Sequence, residues 1–150
     1  MTHVQIDPLK AVTAEDAEAL AGLMRQLSSR APPLAQADLT RVIAGPSTTM
    51  FVARMNGKIV GAATMVLIAV ATGSRASIED VVVDVSQRGK GIGEALMQAA
   101  IAAARAKGAR KVDLTSNPSR QAAHRLYQRL GFRKRETDVF RLDLADESRI

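Results

Sequence analysis

The spacing of apolar and polar residues divides the first half of the chain into strands and helices. The pattern predicts, in order, a strand over residues 3–9, a helix over about 14–29 that begins after Thr13, and a second helix before Gly45. Two β-rich runs between residues 49 and 70 then flank Asn56-Gly57, a dipeptide typical of tight hairpin turns. An antiparallel hairpin is therefore expected after the two helices.

The second half alternates strands with helices. It predicts a strand over Ser77 to Val85 that is buried on both faces, a helix from Gly93 to Lys107 and a strand over Lys111 to Ser116. A helix capped by Ser119 and ended by Gly131 follows. The last predicted strand lies at about 136–144, before a frayed tail from Ala145. Because a strand, a helix and a strand follow one another, two of these strands are expected to be parallel with a right-handed crossover.

Length and composition fit one globular domain over residues 1–150, with 47% hydrophobic residues. No run of about 18 apolar residues and no secretory signal are present, so a soluble, cytoplasmic protein without a membrane partner is expected. The chain has no cysteine and two distant histidines, His3 and His124. These counts exclude a thiolate nucleophile and make a metal site improbable.

Positive charge is concentrated in the middle of the sequence. Residues 87–135 hold twelve basic and two acidic side chains, against seven and eight in residues 1–86 and two and five in residues 136–150. A basic block inside a folded domain suggests a site for a polyanion, namely nucleic acid, a membrane surface or a phosphate-bearing cofactor. A solvated helical face explains the same charges, so composition alone leaves both interpretations open.

A glycine-rich turn over residues 84–93 lies between the predicted buried strand and the following long helix. Such a turn can direct several backbone N–H groups at one point, and the positive end of the helix dipole adds to Arg88 and Lys90. A phosphate loop of nucleotide hydrolases is excluded because Gly91, not Ser or Thr, follows Lys90. A dinucleotide fingerprint is disfavoured because Leu96 stands where its third glycine belongs.

Three stretches resemble signatures of one enzyme family. The GNAT superfamily of acetyl-CoA-dependent N-acyltransferases has a Gln/Arg-x-x-Gly-x-Gly/Ala turn, which resembles Arg88-Gly89-Lys90-Gly91-Ile92-Gly93. Its second signature is similar to residues 117–132, which end in Leu126-Tyr127-Gln128-Arg129-Leu130-Gly131-Phe132. Ile78-Glu79-Asp80-Val81 resembles a stretch of the glucosamine-phosphate N-acetyltransferases in this family. The resemblance is strong over about residues 76–140.

The resemblance implies an α/β fold with a splayed, mixed central sheet flanked by helices, and acetyl-CoA as the acetyl donor. The pyrophosphate would lie on the backbone N–H groups of Arg88, Gly89, Lys90, Gly91, Ile92 and Gly93. Val83 and Val85 would pair through their backbones with the pantetheine arm, in the manner of an added strand. Arg120 stands where many relatives have asparagine, so Asn117 is a further candidate for a cofactor contact.

Acetyl transfer to an amine needs a base for the amine and a proton for the departing thiolate. In regular pleating Glu79 shares a face with Val81 and Val83, and the resulting desolvation would make it the better base. Asp80 points the other way unless a bulge intervenes. Composition makes Tyr127 a core aromatic residue, whereas the family resemblance makes it the general acid. Without cysteine, an acyl-cysteine intermediate is excluded and direct attack is expected.

The sequence therefore predicts an acetyl-CoA-dependent N-acetyltransferase for a small primary amine, with no metal. A protein or peptide acetyltransferase, a nucleic-acid-binding protein and an inactive coenzyme A sensor are the alternatives. Nucleic acid is disfavoured as a partner because aromatic residues make up only 3% of the chain. The identity of the amine stays open, and a homodimer is compatible with the family resemblance.

Overall fold

Five strands form one mixed sheet in a computed structural model of the chain, which describes residues 3–145. The strands are β1 (Val4–Pro8), β2 (Thr48–Met55), β3 (Lys58–Ile68), β4 (Arg75–Val83) and β5 (Val112–Asp113). They lie side by side in chain order, antiparallel from β1 to β4, with β5 parallel to β4. The expected mixed sheet and its parallel pair are confirmed.

The helices also follow the predicted order. They are α1 (Ala14–Leu27), α2 (Gln36–Ala44), α3 (Ile92–Ala106) and α4 (Gln121–Arg129), with a short 3₁₀ turn over Val85–Gln87. Helix α1 begins where its capping signal predicts, because the Thr13 hydroxyl accepts a hydrogen bond from the Asp16 N–H at 3.0 Å. No helix in residues 3–145 is long and apolar enough to cross a membrane.

The hairpin between β2 and β3 forms at the predicted dipeptide. Asn56 and Gly57 both have left-handed backbone angles, with φ values of 53° and 79°. Consecutive left-handed residues are what a tight two-residue turn between twisted strands requires. A local signal is therefore sufficient to fix this part of the sheet.

The main core lies between α1, α2 and the sheet. Its buried side chains are Leu9, Ala17, Leu20, Leu23, Leu39, Met50, Val52, Ile59, Ala62 and Val82. At its edge Arg54 of β2 donates two hydrogen bonds, of 2.9 and 3.1 Å, to the buried carboxylate of Asp16. These bonds hold the pKa of Asp16 below its ordinary value and tie the start of α1 to the sheet.

The chain forms two compact units, divided between Thr115 and Ser116. The first unit contains the sheet with α1, α2 and α3, and the second contains α4 and the segment after it. One domain over residues 1–150 stays a prediction.

Several predicted boundaries are wrong. The strand expected over Ser77 to Val85 ends at Val83, and Val85 is 65% exposed in the 3₁₀ turn rather than buried. Strand β5 has two residues instead of six. Helix α4 begins after Arg120, not Ser119, because the Ser119 hydroxyl donates instead to the Asn117 side chain.

The strand predicted at about 136–144 is also wrong within the described residues. Residues 137–143 lie in neither a helix nor a strand, although their apolar positions alternate. Alternation produces a strand only where a neighbouring strand supplies hydrogen-bond partners, and none pairs with this segment. Most of the tail that was predicted to fray, residues 146–150, lies outside the described residues.

Candidate active site

Strand β4 has an open edge beyond its first residues. It pairs with β5 only at Ala76 and Ser77, and from Ile78 onward no described strand occupies that side. The parallel pairing is therefore limited to two residues of each strand, and the splay of the sheet stays a prediction. Because the Asp84 N–H donates to the Val60 carbonyl on β3, alternation directs the polar groups of Val83 to the open side.

A β-bulge at Asp80 interrupts β4. Glu79 lies opposite Thr64 of β3 and Val82 opposite Ala62, so β4 carries one residue more than its partner. Asp80 adopts a left-handed conformation with φ 53°, which aspartate tolerates better than most residues. The sequence interpretation assumed regular pleating here, and that assumption is wrong.

The bulge gives the two neighbouring carboxyl groups different surroundings. Glu79 is exposed and accepts a hydrogen bond of 2.6 Å from the Ser77 hydroxyl, so the expected desolvation of Glu79 is not found. The pKa of Asp80 is raised, first because surrounding protein removes solvation from its charge and second because Glu79 is negatively charged. Asp80 is exposed, as Glu79 is, so a solvated amine could approach either carboxyl group.

The turn after β4 is anchored from helix α1. Asp84 caps the 3₁₀ turn by accepting from the Ser86 N–H at 3.2 Å, a bond that lowers the pKa of Asp84. Gln26 accepts from the Val85 N–H at 2.9 Å and donates to the Asp84 carboxylate at 3.5 Å. Nothing in the sequence pattern indicated this contact, since Gln26 and Asp84 lie 58 positions apart.

Two left-handed glycines shape the rest of the turn. Gly89 and Gly91 have φ values of 78° and 80°, and a Cβ built on either residue would meet nothing within 4 Å. Other residues are strained in this conformation, so glycine keeps both the backbone geometry and an open space above it. The turn therefore needs glycine for its backbone geometry, and anion binding at it stays a prediction.

Helix α3 begins at this turn with unused donors. Its N-cap, Gly91, offers no side chain, and the first backbone bond runs from the Ala95 N–H to the Gly91 carbonyl. The N–H groups of Ile92, Gly93 and Glu94 therefore precede the helical hydrogen-bond ladder. Together with the helix dipole they favour an anion at this position.

The basic side chains of the turn make contacts with the turn itself. Arg88 donates from Nε to the Val83 carbonyl at 3.1 Å, and Lys90 donates from Nζ to the Gln87 side chain at 2.8 Å. Both residues are exposed. The carbonyl that was predicted to pair with a pantetheine arm is thus bonded to Arg88 in this structure.

In the second unit, Asn117 and Arg120 precede helix α4. The Asn117 side-chain oxygen accepts from the N–H and the hydroxyl of Ser119, at 2.9 and 2.8 Å, and so orders the approach to the helix. Arg120 is the N-cap residue and is exposed. The Asn117 amide keeps its N–H donors available, because only its oxygen takes part in these bonds.

Tyr127 is the buried residue of α4, with 8% of its surface exposed. Its ring meets that of Phe132 edge to face, with centroids 6.0 Å apart. The helix end fixes this pair, because Gly131 is left-handed and the Phe132 N–H donates to the Tyr127 carbonyl. Burial raises the pKa of the Tyr127 phenol, and the charge of Arg120 opposes part of that rise.

Comparisons with known proteins identify the family of this chain. The acetyltransferase (GNAT) family model matches residues 17–132. A glucosamine 6-phosphate N-acetyltransferase of Trypanosoma brucei brucei is 36% identical over 96% of this chain and all of its own length. A crystal structure of a Trypanosoma brucei acetyltransferase superposes with a TM-score of 0.78 at 31% identity, covering 95% of this chain and 100% of its own.

A solved structure of lower sequence identity shares the fold. An aminoglycoside N-acetyltransferase solved in complex with CoA superposes with a TM-score of 0.78 at 20% identity, over 96% of this chain and 97% of its own. Both the sequence and the fold of this chain therefore match acetyltransferases. The protein belongs to the GNAT family of acetyltransferases.

Proposed function

We propose that the protein transfers the acetyl group of acetyl-CoA directly to the primary amine of a phosphorylated amino sugar. The observation that carries this proposal is the continuity of the open β4 edge with the left-handed glycine turn and the uncapped start of α3. An extended arm and a pyrophosphate need these two surfaces in this order. The chemical class of the acceptor is taken from the 36% identical Trypanosoma brucei brucei enzyme.

The cofactor would use the turn mainly through its backbone. The pyrophosphate would accept from the N–H groups over residues 88–93, where the glycines leave space for it. The pantetheine arm would pair with Val83 on the open edge, once Arg88 releases the Val83 carbonyl. Val85 lies beyond the strand and its N–H is bonded to Gln26, so it would contribute only its exposed side chain.

Asn117 and Arg120 are further proposed cofactor residues, which are carried over from the family resemblance. Asn117 would donate from its amide, and Arg120 would supply positive charge where many relatives have asparagine. The net positive charge of residues 87–135 suits a cofactor that carries several phosphate charges.

Glu79 is the proposed base that takes the amine proton, either directly or through water. Its exposure lets a charged amine approach, and the neighbouring Asp80 helps hold that ammonium ion. Asp80 is a second candidate, favoured by its raised pKa, because a carboxylate of higher pKa is the stronger base. Substituting each residue separately distinguishes the two.

Tyr127 is the proposed acid for the departing thiolate. Since burial raises its pKa, the phenol is fully protonated at neutral pH and can donate to a developing negative charge on sulfur. The amine attacks the carbonyl carbon of the thioester, and the bond between that carbon and sulfur breaks. No covalent enzyme intermediate is therefore required. The products are an N-acetylated amine and coenzyme A.

An amine panel with thiol release as the readout tests the proposed function. We expect glucosamine 6-phosphate to react at least about tenfold faster than glucosamine, because a phosphate adds charge-assisted bonds to binding. Faster reaction of a peptide amine would favour a protein acetyltransferase. Tight acetyl-CoA binding without turnover on any amine would favour a coenzyme A sensor.

One control completes that experiment. A salt titration against RNA, run beside acetyl-CoA binding, tests the nucleic-acid alternative, since phosphate contacts weaken steeply with salt.

The proposed single domain is supported by the family match to residues 17–132, which spans both units. Cytoplasmic location stays a prediction.

A further inference from the structure

Ser77 is the last residue of β4 that has a described strand on both sides. Its backbone pairs with Val66 of the antiparallel neighbour β3 and with Asp113 of the parallel neighbour β5. From Ile78 onward, β4 pairs with β3 alone among the described strands. Ser77 is therefore supported from two sides, whereas Glu79 lies on the open edge.

The side chain of Ser77 contacts the carboxyl group proposed as the base. Residues two positions apart in a strand share a face, and the register against β3 is regular from Ser77 to Glu79, before the bulge. The Ser77 hydroxyl donates to Oε1 of Glu79 at 2.6 Å. A distance of about 2.5–2.7 Å is typical of a hydroxyl bonded to a charged oxygen. The contact therefore fits the ionised carboxylate, which is the form of Glu79 that can accept a proton.

The single proton of the Ser77 hydroxyl goes to Glu79, although a second carboxylate lies on the neighbouring strand. That carboxylate belongs to Asp113, which is opposite Ser77 in the parallel pair. Its Oδ2 lies 3.8 Å from Nε of Arg75, so Arg75 compensates the charge of Asp113. A serine hydroxyl has one hydrogen to donate. The donor of Ser77 is therefore committed to the carboxyl group at the candidate site.

Glu79 needs such a contact because its side chain is exposed. A glutamate side chain turns about several single bonds, so an exposed one samples many rotamers. A general base works only while it lies within about 2.6–3.2 Å of the proton it takes, directly or through one water. By holding Oε1, Ser77 reduces the rotamers open to the carboxylate and leaves Oε2 for the amine or the water.

We propose that Ser77 is a positioning residue for acetyl transfer, which fixes the Glu79 carboxylate on the open edge of β4 through the hydrogen bond from its hydroxyl to Oε1. This inference rests on the proposed function, in which Glu79 takes the amine proton. Ser77 touches neither the amine nor coenzyme A in this role and acts only through Glu79. Loss of its hydroxyl should therefore affect turnover rather than cofactor binding or folding.

Ser77→Ala tests this role with glucosamine 6-phosphate and acetyl-CoA as substrates. We expect kcat to fall about three- to tenfold, the effect of losing one hydrogen bond, while the KM for acetyl-CoA and the Tm change little. Ser77→Thr keeps the hydroxyl in a residue that strands favour, so kcat should return to within about twofold of the original. Thr40→Val is the matched control, because it removes a hydroxyl that donates a bond of 2.9 Å on α2, and it should leave kcat unchanged.

A double variant shows whether Ser77 acts through Glu79. Glu79→Gln alone removes the proposed base and should lower kcat about a hundredfold. If Ser77 only holds that base, adding Ser77→Ala to Glu79→Gln should lower kcat by less than about a further twofold. An independent role of Ser77 would instead multiply the two losses.

Three results would overturn the proposal. They are an unchanged kcat in Ser77→Ala, a Ser77→Ala loss that is as large in the Glu79→Gln background as in the original, and a Ser77→Thr variant that is no more active than Ser77→Ala. Full activity of Glu79→Gln would contradict the proposed base itself, and the role of Ser77 with it. A wild-type chain that leaves glucosamine 6-phosphate unreacted would contradict only the proposed acceptor, and the same variants are then compared on the fastest amine of the panel.

Discussion

The glycine turn over residues 84–93 and the bulge at Asp80 lie a few residues apart but are built differently. The turn depends on backbone geometry, with left-handed glycines and the N–H groups at the start of α3. The bulge depends on side-chain chemistry, with two adjacent carboxyls of which Asp80 has the raised pKa. We therefore expect substitutions in the turn to change cofactor affinity, and substitutions at the bulge to change the rate of the chemical step.

The largest expected effect is that of Gly91→Asp. The new side chain adds strain at φ 80° and a negative charge at the proposed anion site, so acetyl-CoA affinity should fall by about a hundredfold or more. Gly57→Asp is a matched control, because Gly57 has φ 79° and an equally open Cβ position in the hairpin. Calorimetric titration of both folded variants is the measurement. Equal losses in the two would assign the effect to backbone strain.

Glu79→Gln should lower kcat by about a hundredfold while the acetyl-CoA dissociation constant changes little. Loss of the base should also remove the acid limb of the pH–rate profile. The neutral substitution keeps an acceptor for the Ser77 hydroxyl, so a folding defect is not expected. An acid limb that persists at the same pH would move the base role to Asp80.

Tyr127→Phe tests the proton donor, the counterpart of the base at the bulge. The ring contact with Phe132 is kept and only the hydroxyl is lost, so kcat should fall roughly ten- to a hundredfold with near-normal stability. An acyl donor with a more acidic thiol should restore most of the rate, because a better leaving group needs less acid. Equal losses on both donors would return Tyr127 to a packing role.

Gln26→Leu should weaken acetyl-CoA binding about three- to tenfold and leave kcat nearly unchanged. The substitution removes the acceptor for the Val85 N–H and the donor to Asp84, so the turn is no longer held from α1. Gln98→Leu on the exposed face of α3 controls for the change in polarity. A loss of kcat rather than affinity would contradict the division between turn and bulge.

The smallest expected effect is a gain in stability from Asp80→Asn. The folded state raises the pKa of Asp80 above its unfolded value of 3.8, so the folded protein binds the proton more tightly. Stability therefore falls as pH rises through the interval between these pKa values, and it stays lower at neutral pH. Asparagine removes this cost and tolerates φ 53°, so Tm at pH 7 should rise by about 1–2 °C and depend less on pH. An unchanged pH slope would contradict the raised pKa.

Features predicted from the sequence were those with a local cause. The Thr13 cap, the Asn56-Gly57 turn and the glycine turn are each specified by residues within a few positions. The bulge at Asp80 was allowed for but not predicted, because it is set by register against β3 and regular alternation gives no sign of an inserted residue. The Gln26 contact and the missing strand at 136–144 also depend on residues distant in sequence.

If the pantetheine arm pairs with Val83 as proposed, the bond between Arg88 and the Val83 carbonyl makes cofactor binding an exchange of one hydrogen bond for another. An arm that pairs with Val83 must first displace a donor that the protein already supplies, so this hydrogen bond adds little net affinity. The released Arg88 guanidinium then strengthens binding only if phosphate oxygens are present to accept its hydrogen bonds. A thioester donor that lacks the pyrophosphate would still have to displace Arg88 from the Val83 carbonyl, but it would offer the released guanidinium no phosphate to bind. The hydrogen bond between Arg88 and the Val83 carbonyl would thus favour the complete coenzyme over its truncated arm.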